Sequence, residues 1–155
     1  MIVIAIIGLL SGIIITSITG SKGKSRDARR ISDVNQIQLA LEQYFDRCGN
    51  YPTALDTTLS NGCPTDIKFS SYISVIPKDP STDKIYDYTV NHVTTPTNYI
   101  LHAKLETSNA AQQNSYPDSV KANDMTVGTW SGWPTPAPNC YNSTPTSLDY
   151  CVSTK

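Results

Sequence analysis

Residues 1–21 read MIVIAIIGLLSGIIITSITGS, and this apolar run decides the fold. It contains no charged side chain, and the first charge of the chain is Lys22. As a helix rising 1.5 Å per residue it would be about 31 Å long, enough to cross the hydrocarbon layer of a membrane. A secretory signal peptide needs a positive N-terminal region and a small-residue cleavage site, and the run shows neither. It therefore predicts a membrane-spanning helix.

A basic collar, residues 22–30, follows the apolar run. It carries five basic side chains and one acidic, whereas residues 31–155 carry seven basic and twelve acidic. Its charged members are Lys22, Lys24, Arg26, Asp27, Arg29 and Arg30. Such a collar suits anionic lipid headgroups; a nucleic-acid patch is disfavoured by the lack of interleaved aromatic residues. The positive-inside rule alone would place the collar and the head in the cytoplasm, whereas the cysteines argue the reverse. A positively charged leader upstream of Met1 would resolve this conflict.

The helix is predicted to continue past the collar. Apolar residues recur there at three- and four-residue intervals, the mark of an amphipathic helix: Ile31, Val34, Ile37, Leu41, Tyr44 and Phe45. Gly49 and then Pro52 are typical of a helix end. We therefore predict one helix over residues 1–47. It comprises a transmembrane or filament-core segment, 1–24, and an amphipathic continuation, 25–47, and it leads into a globular head, 48–155.

The predicted helix is weakest between residues 11 and 23. Glycine and β-branched residues are poor helix formers in water, but lipid enforces a helix because unsatisfied backbone groups are costly there. Two interpretations stay open: an ordinary membrane helix, or a stretch that extends once it leaves lipid. The candidate extension residues are Ser11, Gly12, Thr16, Gly20 and Gly23.

The head is predicted to be a small antiparallel sheet, which makes the fold class α+β. Residues 85–92 and 98–106 are rich in β-forming residues and predict a hairpin. A short helical turn is expected within 66–75 and a third strand at 125–130. Residues 107–123 are interpreted as a loop. Residues 133–155 contain several prolines and are interpreted as an irregular tail.

The four cysteines predict disulfides rather than a metal site. No CxxC spacing occurs, and His92 and His102 are distant from every cysteine in the sequence, so zinc is poorly supported. An even number of cysteines in a small head favours an oxidising compartment. Because short loops close at low entropic cost, we predict the local pairs Cys48–Cys63 and Cys140–Cys151 among the three possible pairings.

No catalytic constellation is found, and we predict neither an enzyme nor a bound cofactor. The chain contains no GxSxG, HExxH or phosphate-loop motif. Asp79, Asp83 and Asp87 would suit calcium, but a turn rich in Asp and Ser explains them equally well. Trp130 and Trp133 are candidate surface ligand contacts, for a sugar or another subunit, although covering a thin core is the simpler explanation.

Several of these stretches resemble the type IV pilins and the pseudopilins of type II secretion. Residues 1–10 resemble their N-terminal segment, and residues 28–45 resemble their amphipathic helix. Residues 48–52, CGNYP, are similar to the G-x-Y-P motif that often closes that helix. Residues 76–80, IPKDP, followed by YDY at 86–88, are similar to a P-x-D-P…Y-x-Y pattern of pseudopilin heads.

The resemblance implies a filament subunit. In this family a prepilin peptidase removes a basic leader and methylates the new N-terminus, and subunits then leave the inner membrane for a helical filament cored by their N-terminal helices. The implied partners are identical subunits, the inner membrane before assembly, the pilus or secretion assembly machinery and the prepilin peptidase. The implied filament-core residues are Met1, Ile2, Val3, Ile4, Ile6, Ile7, Leu9, Leu10, Ile13 and Ile14.

These observations favour a subunit of an extracellular type IV pilus for adhesion, motility or DNA uptake. Crosslinked heads suit a filament exposed outside the cell, and this favours the pilus. The first alternative is a major pseudopilin of a type II secretion system. The second is a membrane-tethered carbohydrate-binding protein that uses Trp130 and Trp133.

Overall fold

The computed structural model describes residues 2–60, 62–64, 67–91, 94–108, 110–113 and 148–154. Side chains are described for all of these residues except 2, 4–20, 112 and 113. The first and longest element is helix α1, Ile2–Cys48, which contains 47 residues. The prediction of one long N-terminal helix is confirmed.

Helix α1 ends at the glycine that the sequence suggested. Gly49 has φ 73°, a left-handed conformation that costs glycine little because it has no Cβ. Its backbone N–H donates a hydrogen bond to the carbonyl of Phe45 at 2.8 Å, which satisfies one of the free carbonyls at the helix end. The helix therefore stops where the chain must turn into the head.

The head is built on a three-stranded antiparallel sheet. Strands β1 (Asp87–Val90), β2 (Tyr99–Lys104) and β3 (Asp149–Ser153) lie in the order β1-β2-β3. Val90 faces Tyr99 across the hairpin, and His102 faces Asp87 on one side and Cys151 on the other. The predicted hairpin and the α+β class are confirmed.

The amphipathic stripe of α1 packs against one face of this sheet. Val34, Ile37, Leu41 and Tyr44 are fully buried, while Ile31 and Phe45 are partly buried at the edge of the core. From the sheet side, alternate residues of β2 enter the same core, because successive strand side chains point to opposite faces: Tyr99, Leu101 and Ala103. The interpretation of Tyr88 and Tyr99 as packed sheet residues is also confirmed, whereas Tyr86 is buried but lies just before β1.

Two parts of the predicted head are wrong. Residues 149–153, assigned to an irregular tail, form β3, since Tyr150 and Val152 pack towards the core and strand pairing with β2 satisfies the backbone. Residues 110–113, assigned to a loop, form a short helix α2 (Ala110–Gln113). The expected turn within 66–75 is a 3₁₀ helix at Phe69–Ser71. The predicted strand at 125–130 lies outside the described residues.

The predicted membrane segment is described only as backbone helix over most of its length. Within the residues whose side chains are described, no helix combines the length and apolar character that a membrane crossing needs. Of the predicted filament-core side chains, only Val3 belongs to that set, and it is 68% exposed. The others lie outside it, so the division into segments 1–24 and 25–47 stays a prediction.

The Cys48–Cys63 disulfide joins the end of α1 to the loop beyond it, as predicted. Cys151 on β3 is also disulfide-bonded. Its predicted partner, Cys140, lies outside the described residues, so that pairing stays a prediction.

Replacing both Cys48 and Cys63 with serine should lower the free energy of unfolding by about 3 kcal/mol, the loop-closure value for roughly 15 residues. The sequence separation of the two cysteines is 15. Urea unfolding of the purified chain with and without the double substitution measures the change. Equal midpoints would show that this bond does not restrain the unfolded head.

Candidate functional site

The most connected polar cluster among the described residues joins α1 to the head, and Arg30 is at its centre. Its guanidinium is 3% exposed and donates to Asp27 Oδ1 at 2.7 Å and to Asp79 Oδ2 at 2.5 Å. It also donates to Ser81 Oγ at 2.8 Å and lies 2.8 Å from Glu106 Oε1. Three separate segments therefore meet on one arginine. We call this group, with Arg26 and Thr107, the Arg30 cluster.

Asp27 is the other buried charge of the cluster. Its carboxylate is fully buried and accepts hydrogen bonds from the backbone N–H of Glu106 at 2.9 Å and of Thr107 at 2.8 Å. The Thr107 hydroxyl donates a further bond at 2.7 Å. Together with the Arg30 bond, these contacts satisfy both carboxylate oxygens. One turn below Asp27, Gly23 lets Thr107 approach, because a Cβ there would lie 3.2 Å from Thr107 Cγ2.

The surroundings of these carboxylates favour their charged forms. Burial raises the pKa of Asp79, but hydrogen bonds from Arg30 and from the backbone of Ser81 and Thr82 outweigh it and bring the pKa to about 2. Burial also raises the pKa of Asp27. Hydrogen bonds from Thr107, from the Glu106 N–H and from Arg30 outweigh it, so the pKa of Asp27 is lowered. The hydrogen bond from Arg26, followed by that from Arg30, lowers the pKa of Glu106.

These shifts predict a loss of stability in acid. Because the pKa values of Asp27, Asp79 and Glu106 are lower in the folded chain, the unfolded chain binds more protons at low pH. The stabilisation is present above about pH 4, the ordinary carboxyl pKa, and is lost as the pH falls towards 2. Thermal unfolding followed by circular dichroism should show the midpoint falling through this window.

Asp79→Asn should make that decline shallower, whereas Asp83→Asn should leave it unchanged. Asp83 is the matched control because its side chain is 86% exposed and contacts Lys78 rather than the cluster. A midpoint that stays constant between pH 4 and pH 2 in the unsubstituted chain would refute the account.

The basic collar is not one outward-facing patch, and that sequence-based interpretation is corrected. Arg30 is buried, and Arg26 is paired with Glu106 through its Nε at 2.8 Å and through a second bond from Nη2. Lys22, Lys24 and Arg29 are the exposed members. Two of the five positive charges therefore hold the head on the helix, and three are available to a surface.

A groove of about 660 Å³ runs along the other end of α1, beside the sheet. It is lined by Asn35, Gln38, Leu39, Glu42, Phe45, Tyr51, Thr97, Asn98 and Thr154. Leu39, at 60% exposure, is the largest apolar side chain that α1 presents to solvent within residues 21–48. The groove combines an exposed leucine with a carboxylate and aromatic rings, a composition that suits contact with another protein.

Glu42 and two tyrosines form the polar part of this groove. The hydroxyl of Tyr51 donates to Glu42 Oε2 at 3.0 Å, and that of Tyr99 donates to Oε1 at 3.1 Å. Burial, followed by the negative charge of Glu42, raises the pKa of both tyrosines, so they stay neutral donors. Phe45 stacks on Tyr51 with ring centroids 4.5 Å apart. The carboxylate is thus fixed beside two stacked rings.

On the opposite face of the sheet, His102 bridges two strands. Its Nδ1 lies 2.9 Å from Asp87 Oδ2, and its Nε2 lies 2.9 Å from Asp149 Oδ1. Lys104 Nζ donates to the same Asp149 oxygen at 3.1 Å. The sequence placed His102 and Asp87 in the predicted hairpin but gave no sign of Asp149, since β3 had been missed.

The remaining predicted site residues are only partly described. Asp79, Asp83 and Asp87 contact Arg30, Lys78 and His102 respectively, and within the described ranges no group of three or more His, Cys, Asp or Glu side chains could hold a metal ion. Trp130 and Trp133 lie outside the described residues. The proposed sugar contacts therefore stay a prediction.

The chain is similar to two curated bacterial proteins of one kind. It is 30% identical over 86 residues to the type II secretion system core protein G of Vibrio cholerae, an alignment that covers 52% of this chain and 59% of that protein. It is 29% identical over 87 residues to the protein of the same name from Aeromonas hydrophila, covering 52% and 61%. The resemblance to the type IV pilin and pseudopilin family is confirmed.

The similarity is nevertheless partial. The chain spans about three fifths of the length of the curated relatives it matches. No protein-family model matches it, and no solved structure matches it. Both relatives are named for type II secretion, so the similarity supports the pseudopilin alternative better than the extracellular pilus, which has no specific support from it.

Proposed function

We propose that this chain is a pseudopilin-like subunit of a helical filament in a protein-secretion machinery of the bacterial envelope. The observation that carries the proposal is the similarity to core protein G, joined to an uninterrupted helix that runs from the apolar N-terminal segment into the head. In this proposal the chain is a structural subunit and not an enzyme.

The apolar part of α1 would hold the assembled filament together. Held in the inner membrane before assembly, it would be buried among identical helices afterwards. Relative to a separate subunit in water, burial on the order of 1,000 Å² of apolar surface would hold each subunit in the filament with a large favourable term at about 25 cal/mol per Å², before ordering costs. The contact joins different surfaces of successive copies, so it grows as an open helix rather than a closed ring.

The Arg30 cluster supports this role by fixing the head to the helix. A filament transmits force only if its subunits keep one shape, and the cluster ties the loop at Asp79 and the segment that follows β2, at Glu106, to α1. A head held to the helix through two of its segments would move with it as one unit.

Deleting the gene in its native cells tests the proposal. We expect secretion of exported proteins into the medium to stop, with the proteins retained in the cells, and a plasmid copy to restore it. Surface filaments counted by electron microscopy distinguish the rival. Normal secretion together with loss of long surface filaments would reject the secretion role and favour the extracellular type IV pilus.

A further inference from the structure

The carboxylate of Glu42 has hydrogen-bond donors but, within the described residues, no cationic partner. It accepts hydrogen bonds from Tyr51 and Tyr99, yet within the described residues it forms no ion pair. It lines an open groove beside the stacked rings of Phe45 and Tyr51. A carboxylate next to aromatic faces attracts an ammonium group both by charge and by cation–π interaction.

Lys22 is the cation whose position on the helix suits this groove. It is exposed, and within the described residues it forms no ion pair. Twenty residues separate it from Glu42, which places it about 30 Å lower along the axis and about 160° around it. Lys22 and Glu42 therefore point to nearly opposite sides of α1. Two parallel helices lying side by side, one raised by about 30 Å, bring these side chains face to face.

We propose that Glu42 of one subunit binds Lys22 of a second copy raised by about 30 Å, so that this pair sets the axial offset between neighbouring subunits. The inference rests on the proposed filament and adds the contact that fixes its register. The aromatic rings would exclude water from the pair, and Leu39 at the groove's edge would pack against the neighbouring helix.

The other two exposed cations of the collar suit the groove less well. Lys24 lies 18 residues below Glu42, five full helical turns, so it points to the same side as Glu42 and away from a groove on a parallel neighbour. Arg29 already has an acidic neighbour, since its Nε lies 3.9 Å from Asp33 Oδ2. Lys24 is therefore a matched control, of the same type and exposure and from the same collar.

Charge reversal in the native cells tests the pair. We expect Lys22→Glu to reduce the recovered filament about tenfold, since a single interfacial charge pair contributes roughly that factor. Lys24→Glu should leave the yield unchanged. Combining Lys22→Glu with Glu42→Lys should recover part of the yield, since the charge pair is re-formed but lysine cannot accept the hydrogen bonds of Tyr51 and Tyr99. Equal yields from the Lys22 and Lys24 variants would overturn the proposal.

Cross-linking gives a readout that does not depend on yield. Cells expressing a mixture of Lys22→Cys and Gln38→Cys chains, treated with a short bifunctional maleimide, should give a cross-linked dimer, and Lys24→Cys with Gln38→Cys should not. Within one chain the two positions are about 24 Å apart along α1, too far to be joined. Filaments without this dimer would overturn the inference alone, whereas absence of any filament would overturn the proposed function and this inference with it.

Discussion

Replacing Arg30 with alanine should lower the free energy of unfolding of the head by about 3–5 kcal/mol. The substitution removes the positive charge that neutralises Asp27, whose carboxylate is fully buried, and it also releases Asp79. A buried charge left without its partner costs far more than the pair contributed, because it has lost both water and its counter-ion. The thermal midpoint should fall on the order of 10 °C.

The matched control is Arg29→Ala, one residue earlier on the same helix. Arg29 is 68% exposed and lies 3.9 Å from Asp33, so its loss should change stability by no more than about 0.5 kcal/mol. Arg30→Lys should fall between the two, since lysine keeps the charge but cannot reach Asp27 and Asp79 together through a planar fork. Similar unfolding curves for Arg30→Ala and Arg29→Ala would contradict the role given to the cluster.

Replacing Ile7 with aspartate should abolish filaments. In a membrane, aspartate within the span costs up to about 2.5–3.5 kcal/mol, the value at the helix centre, and in a filament core an unpaired carboxylate would be buried among apolar helices. Both the membrane-bound and the assembled states of the subunit are therefore destabilised. Filaments counted by electron microscopy and the chain recovered in the membrane fraction measure the two effects, and the same result is expected for Ile6→Asp.

Two controls separate this effect from a general defect. Ile7→Leu keeps volume and apolar character and should assemble normally. Gln36→Asp adds the same carboxylate at an exposed position of α1 and should also assemble. Normal filaments from Ile7→Asp would show that the apolar run is not the assembly core.

The elements that could be predicted from the sequence are those whose signal is local. The spacing of apolar residues from Val34 to Tyr44 predicted the buried face of α1, and Gly49 predicted its end. Both signals lie in residues close together in the sequence. The hairpin at Asp87–Lys104 could also be predicted, because its two strands are neighbours in the sequence and each is rich in β-forming residues. The Cys48–Cys63 bond followed from its short loop.

What the sequence could not supply depends on contacts between distant segments. Strand β3 has only five residues and lies in a region dominated by proline and polar residues. It forms a strand because its backbone pairs with β2. Arg30 was counted with its neighbours as a lipid-facing charge. Nothing local indicates that Asp79, 49 residues later, and Glu106 would enclose it. The one local signal was the acidic Asp27 one helical turn before Arg30, a spacing that favours an ion pair between them.

The groove at Glu42 was missed for a related reason. Glu42 belongs to the polar side of the amphipathic pattern, where a solvated face is the usual expectation. Its role becomes visible only when Tyr51 and Tyr99, from two other segments, direct their hydroxyls to it.

Electron microscopy of filaments isolated from the native cells, with mass spectrometry of their subunit, tests the central claim most directly. The account predicts helical filaments made of this chain, with the apolar part of α1 in the core and the heads outside. Recovery of the chain only as separate molecules in the membrane fraction, with no filament containing it, would contradict the account.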